Sequence, residues 1–301
     1  MKVKFFVGKG GVGKTSVAAS YAAYLSSKGY RTLIVSLDPA HNLGDILDFA
    51  LCDDVTRVDD DLFAREVDID REIARYLSKI AAGLKATYRY LSVLNLEGYI
   101  DILKFSPGME EQAILEAIKR HIFSGEFDFV LFDTAPTGHT LRVLSLPSVS
   151  LIWVEELIKV RRVILDRRRM IERVKGKMPD SPPSEEEEDE VMKELKRIKE
   201  ECLAIEEKLK SEDVTYIPIL NAEEVPLIET ERLVSFLRRF GMHIERIIVN
   251  KYMPERIPKQ AEVIKEIFKK FKDYEIKVIP YMDVSPRGLK ALREVCLTCL
   301  I

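Results

Sequence analysis

Gly8-Lys-Gly-Gly-Val-Gly-Lys-Thr15 follows directly on the short apolar run Val3-Lys-Phe-Phe-Val7 and leads into Ser16-Val-Ala-Ala-Ser-Tyr-Ala-Ala-Tyr-Leu25. The order is strand, glycine-rich loop, helix. Glycines let successive backbone N–H groups converge on phosphate oxygens, and the positive end of the following helix is directed at the same point. Gly8, Lys9, Gly10, Gly11, Val12, Gly13, Lys14, Thr15 and Ser16 therefore form the candidate phosphate cradle. Within it, Lys14 is placed to reach the β and γ phosphates and the Thr15 hydroxyl to ligate Mg²⁺.

Outward from this loop, Arg31-Thr-Leu-Ile-Val-Ser-Leu37, Phe127-Asp-Phe-Val-Leu-Phe132, Val214-Thr-Tyr-Ile-Pro-Ile-Leu220, His243-Ile-Glu-Arg-Ile-Ile-Val249 and Tyr274-Glu-Ile-Lys-Val-Ile279 are further strand-like runs, most of them separated by helical pattern. Continuous apolar runs alternating with helices predict an α/β fold, a mostly parallel twisted sheet flanked by helices on both faces. Residues 60–122 and 150–212 are mainly helical and predict an inserted helical subdomain within a single domain spanning 1–301. The second insert carries Pro179-Asp-Ser-Pro-Pro-Ser-Glu-Glu-Glu-Glu-Asp-Glu190, whose prolines and like charges predict a mobile acidic loop over 178–190.

Two amphipathic stripes flank that loop. Val191, Leu195, Ile198, Cys202, Ile205 and Leu209 recur at spacings of four and three, and Trp153, Leu157, Val160, Ile164, Ile171 and Val174 do much the same before it. The favoured reading pairs the two as an internal helical hairpin. The other makes them a surface that receives a partner or an apolar cargo.

The 301 residues carry a net charge of −3, so the chain lacks the global basic field that binding to nucleic acid requires. Four cysteines are too few for a disulfide scaffold, no apolar run reaches the ~18 residues of a membrane span, and no signal-peptide pattern precedes the first strand. A soluble cytoplasmic protein is expected.

Chemistry-bearing residues gather at the ends of the strand-like runs. Leu37-Asp-Pro-Ala-His-Asn-Leu-Gly-Asp45 places Asp38 at the carboxyl edge of the sheet, where ligands bind in open α/β folds. There it can orient or deprotonate water, or hold Mg²⁺ through water; a helix-capping aspartate is the plainer alternative. His41 divides between packing and a direct role, and is not assigned as a base. Phe129-Val-Leu-Phe-Asp133 is an apolar strand ending in an acid, the arrangement of a magnesium-side aspartate, and Thr134-Ala-Pro-Thr-Gly-His-Thr-Leu-Arg142 continues as a loop able to sense a γ phosphate.

Taken together, Lys9-Gly-Gly-Val-Gly-Lys-Thr15, Asp38-Pro-Ala-His-Asn-Leu43 and Asp133-Thr-Ala-Pro-Thr-Gly-His-Thr-Leu-Arg142 resemble the arsenite-pump (ArsA-like) ATPase family, which includes the ATPases that target tail-anchored membrane proteins. The resemblance places the chain among P-loop NTPases with a deviant Walker A motif, the SIMIBI class, and implies ATP/ADP and Mg²⁺ as cofactors and a nucleotide-dependent homodimer. It implies that Lys9 reaches across to the partner's nucleotide, that Asp38 activates water with Lys9 and Lys14 stabilising charge, and that Thr15 and Asp133 serve the metal. Glu223, Asn250 and the loop Pro280-Tyr-Met282 resemble the family's nucleotide contacts; read alone, Glu223 is loop decoration and Asn250 a strand cap. The helical inserts resemble the subdomain that forms a groove for the transmembrane helix of a tail-anchored protein, with transient membrane association during delivery to a receptor the sequence does not name.

Departures from the family pattern open alternatives. Targeting members carry Cys-x-x-Cys soon after the strand ending here at Asn250, where this chain reads Lys251-Tyr-Met-Pro-Glu-Arg256; its own pair is Cys296-Leu-Thr-Cys299. A zinc ion shared by Cys296 and Cys299 of two subunits is one reading, and an apolar terminal helix with incidental thiols is the favoured one. An arsenite-pump subunit is disfavoured by the single phosphate loop and by Cys52 and Cys202 having no close cysteine neighbour. A septum-positioning or partitioning ATPase of the MinD or ParA type is the runner-up, with Leu289 to Ile301 as its membrane-binding helix.

Overall fold

A computed structural model describes residues 1–40, 42–87, 102–176 and 184–300, with the backbone alone for 83–87 and 175. His41 and residues 178–183 of the expected acidic loop lie outside the described residues. The chain divides into two compact units, one of Met1–Glu72, Glu110–Val143 and Lys208–Ile301, the other of Ile73–Met109 and Leu144–Glu207.

The first unit is built on a sheet of nine strands among the described residues: β1 (Lys2–Gly8), β2 (Thr32–Ser36), β3 (Thr56–Arg57), β4 (Leu62–Glu66), β5 (Phe129–Asp133), β6 (Val214–Asn221), β7 (His243–Ile244), β8 (Arg246–Tyr252) and β9 (Glu275–Pro280). Their order is β3-β4-β2-β5-β1-β6-β8-β9, with β7 also beside β6; β3 runs antiparallel to β4, and the other pairs are parallel. A strand covered on both faces reads as an unbroken apolar run. All five residues of β2 are accordingly buried.

Alternation along β1 explains the packing. Phe5 points to one face, where β1 pairs it with Phe132 of β5 and Tyr216 of β6, and the three rings stack at 4.7 and 5.1 Å. Phe6 points to the other and meets Tyr21 of α1 (Lys14–Ser27). On α1, Ala18, Ala19, Ala22 and Ala23 are completely buried, small side chains that let a helix lie close to a sheet.

Around the sheet lie α2 (Leu43–Leu47), the start of α3 (Ile69–Thr87), α4 (Met109–Ile122), α7 (Glu224–Arg239), α8 (Gln260–Lys270) and α9 (Gly288–Cys299). The second unit takes most of α3, most of α5 (Thr137–Lys175) and α6 (Glu190–Lys210). Helix α5 is continuous from just past the Asp133 loop, with Pro147 inside it.

Several sequence expectations are revised. The stretch 60–122 opens with β4, whose Leu62 and Ala64 are fully buried, and closes with α4 in the first unit. Ala-Arg-Glu favours a helix locally, but pairing with β2 overrides that preference. The run His243 to Val249 is split in two, Glu245 turning its N–H to the Tyr216 carbonyl at 3.0 Å between β7 and β8.

The pairing of stripes is also revised. Helix α5 packs toward α6 through Val154, Ile158 and Leu165 against Met192, Leu195 and Ile198, the face adjacent to the expected one. The stripe Trp153, Leu157, Val160, Ile164, Ile171 and Val174 is left exposed, Trp153 by 68% and Val174 by 85%.

The described part of the acidic segment is tied down rather than free. Ser184 donates to the Glu172 carboxylate at 2.7 Å, Glu186 meets Arg162 at 3.0 Å and Lys196 at 3.2 Å, and Asp189 pairs with Arg161 at 2.7 Å. Asp189 also accepts the Met192 N–H at 2.8 Å, a capping bond at the start of α6. Basic residues of α5, with Lys196 of α6, supply the countercharge that composition alone does not assign.

Candidate functional site

The phosphate loop joins β1 to α1 at the centre of the sheet. Gly8 lies against the Ile219 carbonyl of β6, where any Cβ would collide, and Gly13 has φ 91° with the Asn250 amide pressed against it. Gly13 caps α1 with no side-chain hydrogen bond, so side chains leave the first N–H groups of the helix to other acceptors. This is the anion-binding geometry the sequence suggests.

Lys14 is almost wholly buried, and its Nζ donates to the Lys9 carbonyl at 3.3 Å. Burial draws its pKa below the ordinary lysine value, while the charges of Asp133 and Asp38 pull the other way. Asp133 is completely buried at the end of β5. Burial pushes its carboxyl up to about 7, against a hydrogen bond from Thr15 and the charge of Lys14. Ser36 reaches its Oδ2 at 3.5 Å, and its Oδ1 has no hydrogen-bond partner.

A buried carboxylate oxygen without a partner signals a missing donor or cation. Beside a threonine hydroxyl it forms the oxygen set that suits Mg²⁺, which typically takes one or two protein ligands and completes its shell with phosphate oxygens and water. No group of three or more His, Cys, Asp or Glu suited to a metal occurs among the described residues.

Asp38 sits just past β2, half-buried, with Oδ1 accepting the Ala40 N–H at 3.1 Å. That turn bond occupies one oxygen. Lys9 lies on the outer side of the loop, its Nζ 3.5 Å from Glu229 of α7. Both side chains are more than a third exposed, and exposed pairs contribute about 0–1 kcal/mol. The contact holds Lys9 loosely.

Across the loop, Asn250 Nδ2 donates to the Val12 carbonyl and Lys251 Nζ to the Gly11 carbonyl, both at 2.8 Å. These two residues, with Gly13, Ser16, Pro280, Tyr281 and Met282, line a cavity of about 260 Å³ leading away from the phosphate loop. Glu223 is exposed at the start of α7 and is not among the residues lining it. Lys251 carries no recognised motif in the sequence; a lysine directly after Asn250 inside β8 is its one signal. Sequence reading also gave no separate role to His139, whose Nε2 is buried without a partner.

Cys296 is completely buried in the cluster that joins α9 to α1, with Leu292 and Leu300, and burial pushes its thiol up to about 12. A zinc bridge would require that thiol to leave the core and ionise. The same cluster uses the apolar side of α9, with Leu297 left as its exposed large apolar residue, which argues against a membrane-binding helix there. Among the described residues, no helix is long and apolar enough to cross a membrane.

Comparison with known proteins agrees with these features. The family model for anion-transporting ATPases matches residues 1–299. A protein of Aquifex aeolicus named as an arsenical pump-driving ATPase is 32% identical, covering 98% of this chain and 97% of its own length. One of Chlorobaculum tepidum, named in the same way, is 33% identical over 97% of this chain and 73% of its own. The Dictyostelium discoideum "ATPase ASNA1 homolog" is 30% identical over 97% and 88%. The chain belongs to the ArsA-type anion-transporting ATPase family and is an ATP hydrolase built on a phosphate loop in a mostly parallel α/β sheet.

Proposed function

We propose that this ATPase works as a nucleotide-gated homodimer that holds the transmembrane helix of a tail-anchored protein for delivery to a membrane. The observation that carries the cargo reading is the exposed apolar row on α5. Trp153, Leu157, Val160 and Ile164 follow one another at helical spacing, and Ile152, Val163 and Met170 widen the patch. A contiguous apolar surface of this kind marks a binding site rather than ordinary solvent exposure.

In the nucleotide site, Gly8 to Thr15 would wrap the phosphates, and Lys14 would offset charge on the β and γ groups as the bond to the leaving phosphate breaks. Asp38 would hold the attacking water in line. Mg²⁺, when bound, neutralises phosphate charge, and Thr15 and Asp133 are the residues to hold it. Asn250, Pro280, Tyr281 and Met282 would receive the nucleoside. Lys9 would leave Glu229 for the partner's phosphates on dimer closure, at the small cost of an exposed ion pair. Because α5 starts at Thr137, directly after the Asp133 loop, a change at the γ phosphate bears on the helix that carries the apolar row.

An arsenite site finds little support: Cys52 is exposed in the first unit and Cys202 buried in the second. To test the cargo reading, the chain is co-expressed with a tail-anchored protein and with the same protein lacking its transmembrane helix. A complex that copurifies only when the helix is present is the expected result. Equal recovery of both forms, or of neither, would sink the cargo reading and leave the ATPase assignment standing.

A further inference from the structure

Strand β8 breaks its register at the point where it meets the phosphate loop. Val249 pairs with Val278 and Tyr252 with Pro280, so Asn250 and Lys251 together oppose the single residue Ile279. One extra residue in a strand is a bulge, a device that re-aims side chains next to functional sites. Lys251 also has φ 57°, in the left-handed region that residues other than glycine seldom adopt. Its N–H is satisfied by the Asn250 side-chain oxygen at 2.9 Å, which stabilises this unusual turn.

The bulge turns two consecutive side chains onto two consecutive carbonyls. Lys251 Nζ takes the Gly11 carbonyl and Asn250 Nδ2 the Val12 carbonyl. In a planar trans peptide the carbonyl and the following N–H point in opposite directions. Drawing the Gly11 carbonyl toward Lys251 therefore turns the Val12 N–H away from it, and drawing the Val12 carbonyl toward Asn250 does the same for the Gly13 N–H. Gly11 has φ 82° and Gly13 φ 91°, so these peptides belong to a loop whose glycines would otherwise be free to rotate.

We infer that Lys251 is a positioning residue for the phosphate loop: its ammonium fixes the Gly11–Val12 peptide so that the loop's N–H groups are set for phosphate before nucleotide arrives, while its stem walls the nucleoside cavity. An ammonium is suited to the task because a charge-assisted hydrogen bond resists competition from water at an exposed position. Setting the donors in advance lowers the ordering cost of binding. The inference rests on the reading of Gly8 to Thr15 as the nucleotide site.

The test compares Lys251→Met, which keeps the stem and loses the ammonium, with Lys251→Arg, which restores a charged donor. MgADP and inorganic tripolyphosphate are each titrated as competitors of a fluorescent ADP analogue, and Tm is recorded for each variant. Lys251→Met is expected to bind both competitors about tenfold more weakly, with Lys251→Arg recovering to within about threefold of the wild type. The inference is overturned if Lys251→Met binds both as the wild type does, if it weakens MgADP and leaves tripolyphosphate unchanged, or if Lys251→Arg is no better than Lys251→Met. A change in Tm with unchanged affinities likewise overturns it, because the lysine would then support the fold alone. Failure of the wild type to bind MgADP has a different signature and removes the nucleotide-site reading itself.

Discussion

Phe5, Phe6, Phe132 and Tyr216 in the sheet are completely buried, whereas Trp153, Val160 and Val174 on α5 are each more than half exposed. Buried charge is concentrated in the first unit. The first unit takes Lys14, Asp133, Arg65, Asp53, Glu72 and His121 into its interior, whereas in the described acidic segment of the second Asp189 is buried against Arg161 and the Arg162–Glu186 pair stays in contact with water. Burying charge is costly unless partners surround it, so a fold concentrates it where chemistry or fixed geometry requires it. Exposed apolar surface also costs stability and is retained where something is to be bound. On the proposed reading, one unit serves phosphate chemistry and the other contact with apolar cargo.

The largest effects that would sharpen this contrast belong to the nucleotide site. Asp38→Asn and Lys14→Met are each expected to lower kcat for ATP at least about a hundredfold, the scale for losing a positioned polar group in such a site. Steady-state phosphate release checks this. Turnover by Asp38→Asn equal to the wild type would remove Asp38 from the mechanism.

Next come the apolar residues themselves. Phe5→Ala empties a ring stacked between two others and is expected to cost about 3–5 kcal/mol, while Trp153→Ser is expected to shift stability by no more than about 0.5 kcal/mol despite removing a larger side chain. Urea unfolding measures both. A large loss for Trp153→Ser would mean that α5 is packed against protein and would break the comparison.

A third test uses buried charge. His121 contacts Arg65 at 3.0 Å beside the Arg65–Asp53 and Arg65–Glu72 pairs, and burial, with Arg65 and Arg120 adding to it, lowers its pKa from 6.5 to about 4. The folded chain keeps His121 neutral where the unfolded chain protonates it. Stability is therefore full above pH 6.5 and falls as pH drops toward 4, by about 2–3 kcal/mol from this group. Denaturation at a series of pH values should show that loss, and His121→Gln should flatten it. A slope unchanged by the substitution would assign the acid sensitivity to the carboxylates alone.

Legibility from the sequence varied within the first unit as well as between the two. The phosphate loop, Asp38 and Asp133 were legible because each motif is contiguous and strand-bound, so that order along the chain already determines position at the sheet edge. Strand β4 was missed because Leu62-Phe-Ala-Arg-Glu66 is short and gains its strand character from β2 alongside it. The α5 stripe was assigned to the wrong partner because amphipathic spacing identifies an apolar face without identifying what covers it; Val154, Ile158 and Leu165, one position further along the helix surface, make the contact. Lys251 was hidden because its role depends on a bulge, which leaves no mark in hydrophobic pattern.

The most direct test of the central claim, that the exposed row on α5 is where apolar cargo is held, is cargo capture by a chain in which Trp153, Leu157 and Val160 are replaced together by Ser. Copurified tail-anchored protein per mole of chain is expected to fall at least about fivefold with Tm held close to the wild-type value, since the replaced side chains already face solvent. Undiminished capture by a stably folded triple variant would contradict the account.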